Sequence, residues 1–396
     1  MNFSFTRDQL DLRDTLGEVL SKEFTPERLR EIFEGLHPID QKAWGVLGEV
    51  GMFSLLAPQD LGGLGMGLVE VCLAAEELGR CAFVGPVVEH TCAVVGHLSL
   101  LWSLGLAGGD LLEGPGQEDF NNLVSGTKVA TVQLRPTDPV AWGEASDLVL
   151  LCYEGQGPRL ARGLMWDDPN RPRPSLGQAT PPVAQVPARS VDHSYQLSWV
   201  DQGQFNRGGI IDLDLTFPID QFDKKTKTLI ELVRQITIER CTLVVAGQLI
   251  GLADKMISMA VDYAKDRTQF QVTIGSNQAV KHHLANSYLA LDHARHPVYY
   301  AAFNLDRFVE DLVSHSMSDD DIAGRWDECL RDVSFAKVYA SRAARLAGKT
   351  SLQCHGAIGY SWEHDLHMYM KRSWALANLW GTVDFHLDRV TGLVLR

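Results

Sequence analysis

The sequence has few basic residues for its length, and this scarcity excludes several classes of partner. Its 396 residues include 36 Lys and Arg against 50 Asp and Glu, which gives a formal net charge of −14 at pH 7. Nucleic acids and anionic membranes bind proteins through clustered positive charge, so neither is expected as a partner. An anionic ligand such as a coenzyme A ester would need a local basic patch.

Paired cysteines and long apolar runs are also missing. The seven cysteines form no C-x-x-C pair, which favours reduced thiols over disulfides. The first ten residues lack the basic and then apolar order of a secretion signal, and no uninterrupted apolar run reaches ~18 residues. The sequence therefore predicts a cytoplasmic protein that does not cross a membrane.

What the sequence does contain is typical of a soluble enzyme, with 45% apolar and 22% charged residues. Helical periodicity covers residues 6–115. The next hundred residues concentrate prolines, which exclude long helices, and hold short strand-like runs such as 129–134 and 148–152. From residue 224 helical periodicity returns and continues to the C-terminus.

The pattern predicts an α+β protein of three domains: an N-terminal helical domain at 1–115, a middle β domain at 116–222 and a C-terminal four-helix bundle at 223–396. The four bundle helices are expected at about 229–267, 277–313, 327–347 and 363–396, the last with a possible break at Gly381. A glycine-rich stretch from Pro58 to Gly67 lacks a G-K-[ST] ending, so we interpret it as a turn between helices.

Two segments of the predicted bundle carry the most information. The first begins Arg267-Thr-Gln-Phe270 and continues to Ile274 and Gln278, and the second begins Gln353-Cys-His-Gly-Ala-Ile-Gly. They resemble the R-x-x-F-G-x-x-I-x-x-x-Q and Q-x-x-G-G-x-G motifs of the acyl-CoA dehydrogenase family. Gln271 and Ala357 stand where the family has glycine. The order of α, β and α domains is similar to that family over the whole chain.

The resemblance implies FAD as the cofactor, with the second segment reaching the flavin of a neighbouring subunit. It also implies α,β-desaturation of an acyl thioester, in which a carboxylate removes the α-proton and flavin takes the β-hydrogen as hydride. An electron-transfer flavoprotein or a similar acceptor would reoxidise the flavin. The expected FAD-binding residues are Arg267, Phe270, Gln278, Gln353, Gly356, Ala357 and Thr382.

The catalytic carboxylate of the family is missing from both of its usual positions. One branch places a Glu just before a Gly-Thr pair, and here Trp380 precedes Gly381 and Thr382. The other branch places it on the first bundle helix, where the matching residue is Cys241. Glu239 lies ~200° away from Cys241 around a helix, so it is only a weak candidate, and we interpret Glu239-Arg240 as a solvated charge pair.

Two further patterns are the middle-domain segments, which depart from the family, and three histidines, which are not predicted to form a metal site. The T-E-P-x-x-G-S-D segment of its middle domain is represented at best by Arg135-Pro-Thr-Asp138, and its W-I-[TS] strand by 148–152. The spacing of His355, His364 and His367 matches no recognised ligand set, so no metal is predicted.

Three functions stay open at this point. The chain is most similar to the base-deficient subunit of actinobacterial α2β2 acyl-CoA dehydrogenases, in which a homologous partner carries the base and the substrate is a bulky, steroid side-chain-like ester. A self-sufficient homo-oligomer using Glu239 is the second hypothesis. The third is a non-catalytic scaffold or CoA-ester-binding protein on the same fold.

Overall fold

The computed structural model of the protein describes residues 4–34, 39–107, 115–136, 138–162, 187–188, 192, 195, 197–198 and 222–395. Within these ranges most of the chain is helical. The helices are α1 (Arg7–Glu23), α2 (Pro26–Phe33), α3 (Gln41–Glu49), α4 (Leu68–Arg80), α5 (Gly96–Ser103), α6 (Pro115–Val124), α7 (Lys224–Asp266), α8 (Gln278–Val313), α9 (Asp319–His355), α10 (Leu366–Asn378) and α11 (Val383–Val394). A π-helix covers Glu89–Val95 directly before α5.

Short strands form three small sheets. The strands are β1 (Ala130–Gln133), β2 (Val140–Ala141), β3 (Leu148–Leu151), β4 (Arg159–Arg162), β5 (Pro187–Ala188), β6 (Leu197–Ser198), β7 (Thr268–Gln269) and β8 (Val272–Thr273). The first sheet has the order β1-β3-β4, with β1 and β3 parallel in the register Ala130 to Leu148. The second has the order β2-β6-β5, and β7 with β8 is a hairpin.

The chain divides into two compact units. Unit 1 comprises residues 1–36, 67–84 and 239–396, and unit 2 comprises 37–66 and 85–238. The boundary at residue 239 falls inside α7. The long helices and short strands expected from the sequence are observed, whereas the division at 115 and 222 stays a prediction.

Unit 1 is built from long amphipathic helices. The predicted bundle helices are confirmed, and α9 extends beyond its predicted range because Ser318 caps it with a capping box and acidic residues occupy its first turn. The break expected in the last helix is confirmed between Asn378 and Val383. Ion pairs tie α4 to α7 and α8: Arg295 bonds to buried Glu76 at 2.8 Å and lies 3.3 Å from Asp254.

Two buried aromatic side chains of unit 2 bond to backbone groups. The Trp44 indole donates to the Gly126 carbonyl at 2.9 Å. His90 joins the π-helix to two other segments, since one ring nitrogen contacts the Leu123 carbonyl at 2.9 Å and the other accepts from Ala130 N at 3.0 Å. The strands predicted at 129–134 and 148–152 are confirmed, but α6 adds a helix at the start of the region expected to be β-rich.

Length and composition alone would allow one helix of the described chain, α7, to cross a membrane. Its most apolar window is 72% buried inside the protein, as in the core helix of a bundle. The Pro58–Gly67 stretch forms the expected turn before α4, with the Met66 amide bonded to the Leu55 carbonyl at 2.7 Å.

Candidate functional site

The first flavin-like segment is a tight hairpin at the end of α7. Its strands β7 and β8 are joined by Phe270 and Gln271, whose φ angles are 51° and 68°. Two successive positive φ angles define the type I′ turn that favours glycine at the second position. Gln271, which stands where the family has glycine, is therefore locally strained, since a non-glycine residue costs about 1–2 kcal/mol in this conformation. Phe270 is 97% exposed at the tip.

The second flavin-like segment ends α9. His355 is the last residue of the helix, and Gly356 turns the chain with a φ of 63° into a 3₁₀ turn that ends at Tyr360. A Cβ built on Gly356 would meet nothing within 4 Å. Gln353, Gly356 and Ala357 are all exposed, so the backbone here is open to a ligand.

The structure brings these two segments to the same end of unit 1. The Tyr263 ring, one turn before Arg267 on α7, stacks on the His355 ring with centroids 4.6 Å apart. The Ser351 hydroxyl donates to the Met256 carbonyl at 2.7 Å and ties α9 to α7 just below. An exposed guanidinium and an open glycine backbone at the same end of the unit fit the diphosphate of FAD.

Two further residues expected to contact FAD lie at helix starts. Gln278 is the first residue of α8 and is exposed. Thr382 caps α11, because its hydroxyl accepts from Phe385 N at 3.2 Å. That hydroxyl keeps its own proton as a donor. The FAD roles of the seven residues stay predictions, since the described contacts include no ligand.

The base positions lie in a buried part of the same unit. Glu239 is 4% exposed, and its two carboxylate oxygens accept from Arg389 on α11 at 2.5 and 2.9 Å. The interpretation of Glu239-Arg240 as a solvated pair is therefore wrong, because both side chains are buried and the partner of Glu239 is Arg389. Periodicity within α7 could not reveal a partner 150 residues away.

The other two base positions adjoin this ion pair. Cys241 is fully buried, and the hydroxyl of its neighbour Thr242 donates to the Trp380 carbonyl at 3.3 Å. The same carbonyl contacts Nε2 of His386 at 3.1 Å. The indole Nε1 of Trp380 is buried and has no acceptor among the residues that the structure describes. We call Glu239, Thr242, Ser334, Trp380, His386 and Arg389 the base region.

Electrostatics in the base region are set mainly by burial. Burial, with Arg389 and Lys337 nearby, lowers the pKa of His386 to about 3, so its ring is neutral. Burial likewise lowers the pKa of Lys337 to about 7. The Lys337 amine donates to the Leu376 carbonyl at 2.7 Å and so caps the end of α10. Sequence reasoning missed His386 and Arg389, although their i, i+3 spacing places both on one face of α11.

The three histidines considered for a metal pack as rings instead. His355 and His364 are 4.5 Å apart edge to face, and His367 stacks on Trp362 at 4.4 Å. Lys371 lies 4.3 Å from the Trp362 ring. Across the described ranges no group of three His, Cys, Asp or Glu side chains could hold a metal ion. The expectation of no metal stays a prediction.

The middle segment with the weakest resemblance forms a turn. The Asp138 amide bonds to the Arg135 carbonyl at 3.0 Å, and Gln133 Nε2 donates to the Asp138 carbonyl at 2.9 Å. The turn follows β1 directly. The stretch expected in place of the family's W-I-[TS] strand is β3, whose residues are all buried.

Comparison with known families agrees with this fold. Residues 6–104 match the acyl-CoA dehydrogenase N-terminal domain and residues 232–392 match the acyl-CoA dehydrogenase C-terminal domain. The chain therefore belongs to the acyl-CoA dehydrogenase family, and its cofactor is FAD.

Individual relatives span nearly the whole chain. The acyl-CoA dehydrogenase IpdE2 of Mycolicibacterium smegmatis is 25% identical over 96% of this chain and 96% of its own length. Among solved structures, the ChsE4-ChsE5 complex from Mycobacterium tuberculosis has a TM-score of 0.74 at 21% identity and covers 100% of this chain and 99% of its own. The Tcur3481-Tcur3483 steroid ACAD has a TM-score of 0.69 at 17% identity, with 98% of both chains covered.

Proposed function

We propose that this chain is the base-deficient subunit of a heteromeric acyl-CoA dehydrogenase. In this assembly a homologous partner chain supplies the catalytic carboxylate, and the two chains share the flavin at their interface. The substrate is a bulky acyl-CoA ester of the steroid side-chain kind. The enzyme works in the cytoplasm and passes electrons to an electron-transfer flavoprotein or a similar acceptor.

The state of Glu239 carries this proposal. A general base must reach the substrate's proton with a free lone pair, yet both Glu239 oxygens are committed to Arg389 and the carboxylate is buried. The remaining family positions hold Cys241 and Trp380, and an indole cannot take a proton. The chain thus offers no carboxylate free to act at any of the three positions.

The relatives support the heteromeric and steroid parts of the proposal. The ChsE4-ChsE5 structure is a complex of two different chains, and the Tcur3481-Tcur3483 protein is a steroid ACAD. The exposure of the flavin-like segments supports an interface as well, since Arg267, Phe270 and Gln353 lie open on the surface of unit 1. A second chain would cover them.

The residues of this chain would then bind and orient. Bound FAD would supply the hydride acceptor for the β-hydrogen of the ester. Arg267 would pair with the diphosphate, Phe270 would pack against a ring, and the open backbone at Gly356 and Ala357 would admit the cofactor of the neighbouring subunit. The partner's carboxylate would take the α-proton of the ester. Trp380 would fill the unused base position, which gives one active site and one FAD per heterodimer.

Co-expression separates this proposal from its alternatives. The chain is purified alone and together with a homologous partner encoded beside it, and flavin absorbance and acyl-CoA desaturation are measured. A chain that is colourless alone but yellow and active with its partner supports the proposal. Flavin and activity in the chain alone would favour a self-sufficient homo-oligomer, and no flavin in either sample would favour a non-catalytic CoA-ester-binding protein.

Glu239→Gln gives a sharper test on the co-expressed complex. Loss of a true general base costs at least ~10²-fold in rate, whereas loss of the Arg389 pair should lower stability and leave turnover close to that of the wild type. Turnover per flavin is compared with the thermal midpoint of each sample. A hundredfold loss of turnover in a folded, flavin-loaded complex would place the base in this chain.

A further inference from the structure

The backbone at Trp380 is held in an unfavourable conformation. Its φ is 56°, in the left-handed region, and Gly381 follows with a φ of 106°. A bulky residue in this region costs roughly 1–2 kcal/mol, so it persists only where neighbouring groups enforce it. The turn lies between α10 and α11, at the position where one branch of the family has its carboxylate.

The side chains of Thr242 and His386 hold the turn through the carbonyl oxygen of Trp380. The Trp380 carbonyl oxygen receives the Thr242 hydroxyl from α7 at 3.3 Å and contacts Nε2 of His386 from α11 at 3.1 Å. A carbonyl oxygen has two lone pairs, and both are used by these contacts. Side chains from two helices therefore hold one peptide group.

The surrounding hydrogen bonds fix which nitrogen of His386 carries the proton. The Ser334 hydroxyl donates to the Leu330 carbonyl at 2.7 Å and accepts from Arg389 Nε at 2.7 Å. Nδ1 of His386 lies 3.3 Å from this hydroxyl and 3.4 Å from Arg389 Nη2. The Trp380 carbonyl can only accept, so Nε2 of the neutral ring carries the hydrogen that it donates there, and Nδ1 is the acceptor that faces the donor Arg389 Nη2.

Steric exclusion completes the arrangement. A Cβ placed on Gly381 would lie 2.5 Å from His386 Nε2 and 2.7 Å from the Phe385 ring. No side chain fits there unless His386 moves away from the Trp380 carbonyl. Gly381 is therefore required both by its positive φ and by the close approach of the ring.

We propose that Thr242, His386 and Gly381 form a latch that fixes the Trp380 turn and keeps its indole in the unused base position. His386 and Thr242 are positioning residues, and Arg389 acts through His386. The idea that Trp380 fills a base position rests on the proposed function. The latch itself rests on the geometry of the turn.

The test measures the accessibility of Trp380 in the purified full chain. Each variant is made with and without Trp380→Phe, so that subtraction gives the emission of Trp380 alone, and acrylamide quenching gives its accessible fraction. Loss of one hydrogen bond shifts an open-to-closed ratio about fivefold. We expect a rise of about that size for Thr242→Val and a larger one for His386→Leu and Gly381→Ala.

Two controls separate the latch from general loosening. His386→Gln keeps a side-chain N–H donor and should stay close to the wild type, and His296→Leu removes an exposed histidine on α8 and should change nothing. The latch is refuted when Thr242→Val and Gly381→Ala fold normally by circular dichroism and leave Trp380 quenching unchanged. These two variants decide the question even when His386→Leu does not fold.

The same variants in the co-expressed complex show what the latch does. Titration with a CoA ester should give one site per heterodimer in the wild type and a second, weaker site in Gly381→Ala. One site in both would mean that Trp380 does not block a pocket. A chain that desaturates the ester alone would refute the proposed function, whereas the quenching results would still decide whether the latch exists.

Discussion

The flavin-like segments and the base region lie in the same unit and share helix α7, yet they differ in almost every physical respect. The flavin-like residues, among them Arg267 and Gln353, are exposed and make few contacts with their own chain. The base region is buried except for the half-buried Trp380 and Arg389, and an ion pair and several hydrogen bonds join its side chains. An exposed surface and a region whose side chains are paired with each other agree with the proposed function, in which the cofactor is shared and the partner transfers the proton.

The difference also shows where strain is tolerated. Both regions contain non-glycine residues in the left-handed conformation, Phe270 and Gln271 in one and Trp380 in the other. The Trp380 turn is held by two side chains from other helices, whereas Phe270 and Gln271 sit at the exposed tip of a hairpin. Hydrogen bonds from other helices enforce the strained conformation of Trp380. In the hairpin, the strained conformation is held by the pairing of β7 with β8.

The largest effect should come from breaking the buried ion pair. Arg389→Met leaves the Glu239 carboxylate buried without its partner, which typically costs about 3–5 kcal/mol. The apparent stability of the variant is measured by urea unfolding. Removing both charges in Glu239→Leu with Arg389→Met should recover most of the loss. No recovery in the double variant would show that packing by Arg389, rather than charge, holds the region.

A second effect concerns Asp306 on α8, whose carboxylate accepts from the Leu68 amide at 2.7 Å. Burial raises its pKa to about 7 against 3.8 in the unfolded chain, although Arg240 and the amides of Leu68 and Val69 oppose the shift. The folded state therefore holds a proton that the unfolded state has lost between these pH values. Stability due to this group is full below pH ~4 and is lost as the pH rises through ~7, by up to roughly 4 kcal/mol.

Asp306→Asn should remove this dependence while keeping an acceptor for the two amides. The measurement is the difference in unfolding free energy between the wild type and Asp306→Asn from pH 4.5 to 8. We expect the difference to fall up to about pH 7 and then level off. A difference that stays constant across this pH range would refute the shift.

The next prediction tests Arg267 in the exposed flavin-like segments. Arg267→Ala removes a charge-assisted contact to the FAD diphosphate worth roughly 1.5–3 kcal/mol, so flavin retention should fall about tenfold or more. Flavin content is read by absorbance on the intact complex. Lys265→Ala, an exposed cation two residues away, should keep its flavin. Equal flavin content in both variants would rule out this role for Arg267.

The smallest effect concerns the strained hairpin. Gln271→Gly restores the glycine that a type I′ turn favours and should stabilise the hairpin by about 0.5–1 kcal/mol. The Ile274 amide donates to the Arg267 carbonyl at 2.9 Å, so the hydrogen exchange of this amide reports the stability of the hairpin. Val272, next to Gln271, does not have a positive φ, so Val272→Gly should speed the exchange of the Ile274 amide. Faster exchange in Gln271→Gly would show that the glutamine side chain supports the turn.

The sequence was most informative where structure is local. Apolar periodicity predicted α7 to α9, and Gly381 indicated the break in the last helix. Short apolar runs predicted the strands, in a region where prolines exclude long helices. It could not predict pairs distant in sequence, such as Glu239 with Arg389, because nothing in a helical pattern specifies which buried cation will meet a buried carboxylate. The hairpin was equally hidden, since Gln271 gives no sign of a left-handed turn when glycine is absent.

The Trp380 turn has an evolutionary consequence. A single substitution that returned a carboxylate to residue 380 would place it on a left-handed backbone next to His386, and one at 241 would place it in a fully buried position. The carboxylate that already exists at 239 is neutralised by Arg389. Under the proposed function, each route back to an independent enzyme therefore carries a structural cost, so dependence on a partner would be hard to reverse.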